Sequence, residues 1–300
     1  MAEDNRNPYL VITCGNTGSG KTRLMEETLR FLGISNEPYV KILIDDIVEN
    51  NLIYKREVKK IISKIERYCR EKRVHCLDED CFFCDEDWYY NNPPKFLYDD
   101  FKNAYFNARS RKNCNGINPN WDCNELNDHY LMQAIFERKN IVFEFTGQYI
   151  PTWLLTSAKL TTPYNIVVSC SVVNMENLAR RNKSRASLAV RKFKENENEP
   201  APRLPDVSVK ELKKNMKQYK NILNEMYTDC IESYSVEKCG DRQINRLLVF
   251  DNNGRDLSLI FDSSLRGSRL DVVNESFGPI QDSPRRKRYR KVLKRKISSK

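Results

Sequence analysis

One stretch limits this chain more than any other. Tyr9-Leu10-Val11-Ile12-Thr13, a short apolar run rich in β-formers, leads into Cys14-Gly15-Asn16-Thr17-Gly18-Ser19-Gly20-Lys21-Thr22-Arg23. The second part fits G-x-x-x-x-G-K-[ST]. A run of several phosphates is a dense anion, held best by backbone N–H groups that point inward. The chain must curl tightly to aim them, and Gly15, Gly18 and Gly20 allow it because glycine reaches φ > 0 at little cost. Lys21 adds a mobile cation, and the Thr22 hydroxyl suits a Mg²⁺ bridging the same oxygens. Residues Gly15, Asn16, Thr17, Gly18, Ser19, Gly20, Lys21 and Thr22 are therefore the candidate nucleotide-binding loop. After it, Leu24, Met25, Thr28, Leu29 and Leu32 keep helical spacing, and Gly33 stands where a helix-ending glycine belongs. Strand, loop and helix come in the order that triphosphate binding requires.

The remaining chain alternates in the same way. Runs at 39–44, 140–145, 165–173 and 246–250 read as strands; stretches at 54–73, 152–160, 175–194 and 207 to about 236 read as helices. Residues 74 to about 128, rich in Cys, Asn and aromatics, read as an irregular insertion. The alternation predicts an α/β fold of phosphate-loop kinase type: a parallel sheet covered by helices on both faces. One such domain spans 1–275 with the Cys-rich insertion at 74–128, followed by a disordered basic tail at 276–300. Ligands of such sheets bind beyond the C-terminal ends of the strands. Gly15, Asp45 with Asp46, and Thr146 with Gly147 each lie just past a strand, so they should meet around the nucleotide.

An ATPase and a small-molecule kinase share this loop and differ in what faces the terminal phosphate. A kinase needs a carboxylate to accept the proton of an acceptor hydroxyl, and cations to hold the moving group. Asp45 and Asp46 end an apolar strand and are the base candidates, Asp45 first because it follows the strand directly; a helix N-cap is the competing role. Glu144, between Phe143 and Phe145, could support Mg²⁺ with Thr22, or orient substrate, or face solvent. The basic stretch holding Arg180, Arg181, Arg185 and Arg191, and Arg203 in the loop beyond it, could close over the nucleotide and bring guanidinium groups to the transferring phosphate.

The net charge of +10 is uneven. Positions 285–300 carry ten Lys or Arg and no acid, and removing those ten leaves 41 basic against 41 acidic residues. The tail thus suggests nuclear localisation through an import receptor, or nucleic-acid contact. A polar N-terminus and the lack of a long apolar run point to an intracellular protein, nuclear or cytoplasmic, with no membrane contact. The ten cysteines are then expected mostly as thiols. Cys81-x-x-Cys84, with Cys76 and either Cys114 or Cys123, could hold a structural Zn²⁺, but thiols packed among Phe82, Phe83 and Trp88 fit the single spacing better.

These pieces resemble the zeta-toxin family of P-loop kinases. The matching segments are GNTGSGKT, ILIDD, VFEFTG, YNIVVSCSVVNMENLARRNKSRA, PRLPD and LLVFDNNG, in the family's order across most of residues 8–262. The resemblance implies a kinase that uses ATP and Mg²⁺ to phosphorylate a hydroxyl, in several members on UDP-N-acetylglucosamine. It implies that Lys21 and Thr22 hold phosphates and metal, that Asp45 or Asp46 is the base, and that Arg181 or Arg185 with Arg203 assists transfer. The chain departs from the family where Asp46-Ile47-Val48 replaces an acid, an aromatic and an arginine, and in residues 74–128. A polynucleotide or nucleoside kinase, and a non-catalytic nucleotide-binding protein directed to the nucleus or nucleic acid by its tail, are the alternatives.

Overall fold

A computed structural model describes residues 7–71, 95–147, 149, 152–161, 163–204, 209–227, 244–265 and 271–278. Strands β1 (Tyr9–Cys14), β2 (Tyr39–Ile42), β3 (Asn140–Phe145), β4 (Asn165–Val172), β5 (Arg246–Asp251) and β6 (Ser258–Asp262) form one sheet in the order β2-β3-β1-β4-β5-β6. The first five are parallel and β6 pairs antiparallel with β5. This is a mostly parallel, helix-flanked sheet, as the alternation of strands and helices predicts. β1 lies between β3 and β4, so the loop leaving β1 opens at the middle of the sheet's C-terminal edge.

The period-2 alternation of side chains divides the core. Leu10, Ile12 and Cys14 of β1 and Ile166, Val168 and Cys170 of β4 join the larger cluster. Val11, beside Val142, faces Met25 and Leu29 of α1 (Lys21–Phe31), and Val167 faces Leu24. α1 therefore covers one face. The other takes most of the remaining helices: α2 (Ile44–Glu49), α3 (Leu52–Glu71), α4 (Lys95–Ser110), α5 (Cys123–Phe136), α6 (Thr152–Thr161), α7 (Met175–Glu195) and α8 (Val209–Tyr227). A short α9 (Asp271–Ser276) follows β6. Among the described residues no helix is long and apolar enough to cross a membrane.

Four expectations change. Residues 74–128 are not irregular throughout: α4 occupies 16 residues there, with Phe101, Ala104, Tyr105 and Ala108 buried at helical spacing. The second strand stops at Ile42, and Ile44-Asp45-Asp46 form the first turn of α2, where acids favour the positive helix end. β6 and α9 were not foreseen. Cys114 and Cys123 are disulfide-bonded to each other, so neither offers a thiolate to Cys81 and Cys84. His75, Cys76, Cys81 and Cys84, like the tail at 285–300, lie outside the described residues.

Candidate active site

The loop from Gly15 to Thr22 is curled as its glycines require. Gly18 and Gly20 hold φ of 84° and 79°, and Ser19 N–H donates to the Asn16 carbonyl at 3.0 Å. Its outward carbonyls are tied from behind. Asn182 of α7 donates to Thr17 O at 2.8 Å, while Asn252 and the Ser171 hydroxyl donate to Ser19 O at 2.7 and 2.9 Å. Asn182 sits so close that a Cβ on Gly18 would fall 2.5 Å from its Nδ2, so only glycine closes the cradle here. Gly20 caps α1 without a side-chain bond and no acid lies in the first turn, so the positive end of that helix is open to an anion. The Ser19 hydroxyl is buried without a hydrogen bond among the described residues. These features fit a triphosphate.

Lys21 bends back over this cradle. Its Nζ donates to Gly15 O at 3.2 Å and lies 3.4 Å from Oε1 of Glu144 on β3. Burial pushes its ammonium below the usual lysine value, with Glu144 opposing that shift. Thr22 is exposed at the start of α1. Its hydroxyl and the half-buried Glu144 carboxylate are an all-oxygen donor pair of the kind Mg²⁺ prefers.

Asp45, on α2, faces the same space. Its Oδ1 pairs with Arg203 Nη1 and accepts from the Tyr105 hydroxyl at 2.5 Å. Burial works against ionisation of Asp45, but Arg203, Tyr105 and Lys21 outweigh it and hold the carboxyl below its ordinary range. Arg203 also approaches Glu49, one turn on along α2, at 3.7 Å. Burial pushes Glu49 up to about 7, only partly opposed by Arg203. Two carboxylates on one helix are thus driven apart, Asp45 towards a standing base and Glu49 towards a neutral acid. Asp46 turns outward instead, 3.7 Å from Lys41, with its side chain 59% exposed.

The arginines of α7 divide as well. Arg181 donates to Asn252 O at 2.7 Å, and its Nη1 stands about one contact distance from a Cβ imagined on Gly20. Arg185 is exposed, yet its charge reaches both Lys21 and Glu49. Arg180 binds Asn177 at 2.8 Å on the solvent side. The sequence reading missed Tyr105, Glu49, Asn182 and Tyr219. Tyr219 of α8 donates to Cys14 O and Ser171 O at 3.3 and 3.2 Å, bracing the strand ends beneath the loop. The helical spacing around Tyr105 was a usable signal; nothing in the sequence marks Tyr219.

No protein-family model matches this chain, and no curated protein does. Among solved structures it is similar to one from the PezAT chromosomal toxin–antitoxin system of Streptococcus pneumoniae. That likeness has 14% identity and a TM-score of 0.45, over 98% of this chain and 86% of the other. A chain from Chloroflexus aurantiacus j-10-fl, provisionally described as a kinase, aligns at 13% identity with a TM-score of 0.31, over 67% and 77%. Both likenesses are too loose to transfer a residue's role, so the roles below rest on geometry.

Proposed function

We propose that this chain is an ATP-dependent kinase that moves the γ-phosphate onto a hydroxyl of a small acceptor, with a UDP-sugar such as UDP-N-acetylglucosamine as the first candidate. The observation that carries the reading is the meeting of two groups from distant parts of the sequence: Lys21 over the phosphate cradle, and an ionised Asp45 gripped by Arg203. A kinase needs such a base beside the phosphates, and transfer-free nucleotide binding does not.

The roles follow from the geometry. Backbone N–H groups of residues 15–22 and the open end of α1 hold the β- and γ-phosphates. Lys21 exchanges Glu144 for phosphate oxygens when ATP arrives. Glu144, so released, and Thr22 would hold Mg²⁺, which neutralises charge on the phosphates when bound. Asp45 takes the acceptor's proton as the new oxygen–phosphorus bond forms and the bond to the bridging β,γ-oxygen breaks, leaving ADP. Arg203, with Arg181 or Arg185, supports the negative charge spread over the moving group.

The test is transfer of labelled γ-phosphate to a panel of UDP-sugars, nucleosides and 5′-hydroxyl oligonucleotides. Label should appear on one acceptor class. Lys21→Ala and Asp45→Asn should each lower transfer at least about a hundredfold, the scale on which positioned charges and bases act. Transfer by Asp45→Asn at the wild-type rate removes the base assignment, and no transfer to any acceptor above the Lys21→Ala level removes the kinase reading.

A further inference from the structure

We propose that Tyr105 is a positioning residue for phosphotransfer, the fixed half of a two-donor clamp on Asp45 whose other half, Arg203, is shared with the phosphate. The inference rests on the kinase reading and assigns work to a segment with no counterpart in the resemblance above.

Both donors fall on the same oxygen. The Tyr105 hydroxyl and Arg203 Nη1 bind Oδ1, and among the described residues no hydrogen bond reaches Oδ2. A carboxylate held by one oxygen presents the other in a fixed direction, which is what proton abstraction from an acceptor needs. The two donors differ in what else attracts them. Arg203 is a cation on the loop beyond α7, already divided between Asp45 and Glu49, and a γ-phosphate would draw it further. Tyr105 is a neutral phenol without that pull.

Its ring is also held in place. Tyr105 is 6% exposed, with Tyr54 edge-on at 5.8 Å, Phe106 edge-on at 5.6 Å and the Arg203 guanidinium 5.5 Å from the ring centroid. When Arg203 turns to the phosphoryl group, Tyr105 alone keeps Oδ2 aimed at the acceptor. The charged and titratable groups around Asp45 are Arg203 from the loop, Lys21 from α1, Tyr54 from α3, Tyr105 from α4, and Asp46 and Glu49 on its own helix. Of these only Tyr105 and Arg203 hydrogen-bond to it.

Tyr105→Phe keeps the ring and removes the hydroxyl. We expect kcat on the acceptor to fall about ten- to a hundredfold, the worth of one hydrogen bond to a charged group, with KM for ATP unchanged. The acid limb of the kcat/KM profile should move to higher pH, because a donor that favoured ionised Asp45 is gone. A merely structural tyrosine would change neither that limb nor kcat alone. An independent arm needs no turnover: a carboxyl-¹³C NMR titration of Asp-labelled protein, with Asp45→Asn to assign the resonance. Asp45 should titrate at higher pH in Tyr105→Phe than in wild type. Coincident titrations overturn the proposal whether or not an acceptor is found. An unshifted limb overturns it while leaving the kinase reading intact, whereas silence on every acceptor with shifted titrations sinks the kinase reading and with it the positioning role, leaving only the hydrogen bond to Asp45.

Discussion

At the scale of single residues, the site is organised by cations that have two possible partners. Lys21 is held by Glu144 and Gly15 O, Arg203 by Asp45 and Glu49, and the charge of Arg203 reaches Lys21. Such pairs hold charge in position without burying it unpaired, which would cost several kcal/mol. Glu49 makes the arrangement visible to pH. Its folded value is raised above the unfolded one, so its contribution to stability is whole below about 4.5 and fades as pH rises through about 7. Glu49→Gln imitates the protonated form. The stability of wild type relative to this variant should therefore decline between those limits, by at most about 3 kcal/mol given the size of the shift. Urea unfolding of both proteins at pH 4.5, 6 and 8 measures it; a constant difference would mean that Glu49 titrates alike in the folded and unfolded chain.

At the scale of elements, the loop depends on what packs behind it. Gly147, just past β3, has φ 72°, and a Cβ there would lie 2.4 Å from the Tyr219 ring. Gly33 has φ 74° with nothing within 4 Å. Gly147→Ala should cost about 2–4 kcal/mol, left-handed strain plus overpacking, against about 1 kcal/mol of strain alone at Gly33→Ala. Denaturant midpoints decide it, and equal losses would mean that Tyr219 yields freely. The same elements explain what could be read beforehand. β1, β3, β4 and β5 are largely buried, so each carries mostly apolar residues, and their order reveals the sheet. The phosphate loop stood out by its glycine spacing between strand and helix, Asp45 because a carboxylate ending an apolar run has no packing purpose, and Arg203 as a cation in the loop beyond the basic stretch. α4 escaped because its segment was read by composition, although Phe101, Ala104, Tyr105 and Ala108 carry helical spacing. β6 escaped because a five-residue edge strand with only two buried residues leaves little pattern. Tyr219 and Asn182 look like ordinary helix residues; only the folded chain brings them under the loop.

At the scale of the whole molecule, most of the net charge and the candidate site fall on different parts of the sequence. The base side of the site carries Asp45, Asp46, Glu49 and Glu144, close to balanced by Lys21, Lys41 and Arg203. The cationic excess lies in positions 285–300, with further exposed cations on the packed pair α7 and α8, such as Arg180, Lys210 and Lys217. A polyanion drawn by the excess and a small acceptor drawn by the site would then bind through different residues. For single strands each neutralised phosphate contributes about 0.7 to the slope of log affinity against log salt. A chain ending at Ser283 should therefore lose several units of that slope for an oligonucleotide, up to about 7 if all ten tail cations engage. Its transfer rate to a small acceptor should stay at the full-length value. If both fall together, the tail is guiding the acceptor, and the hydroxyl phosphorylated belongs to a nucleic-acid end; if the slope alone falls, the tail is an address and the site works on small molecules.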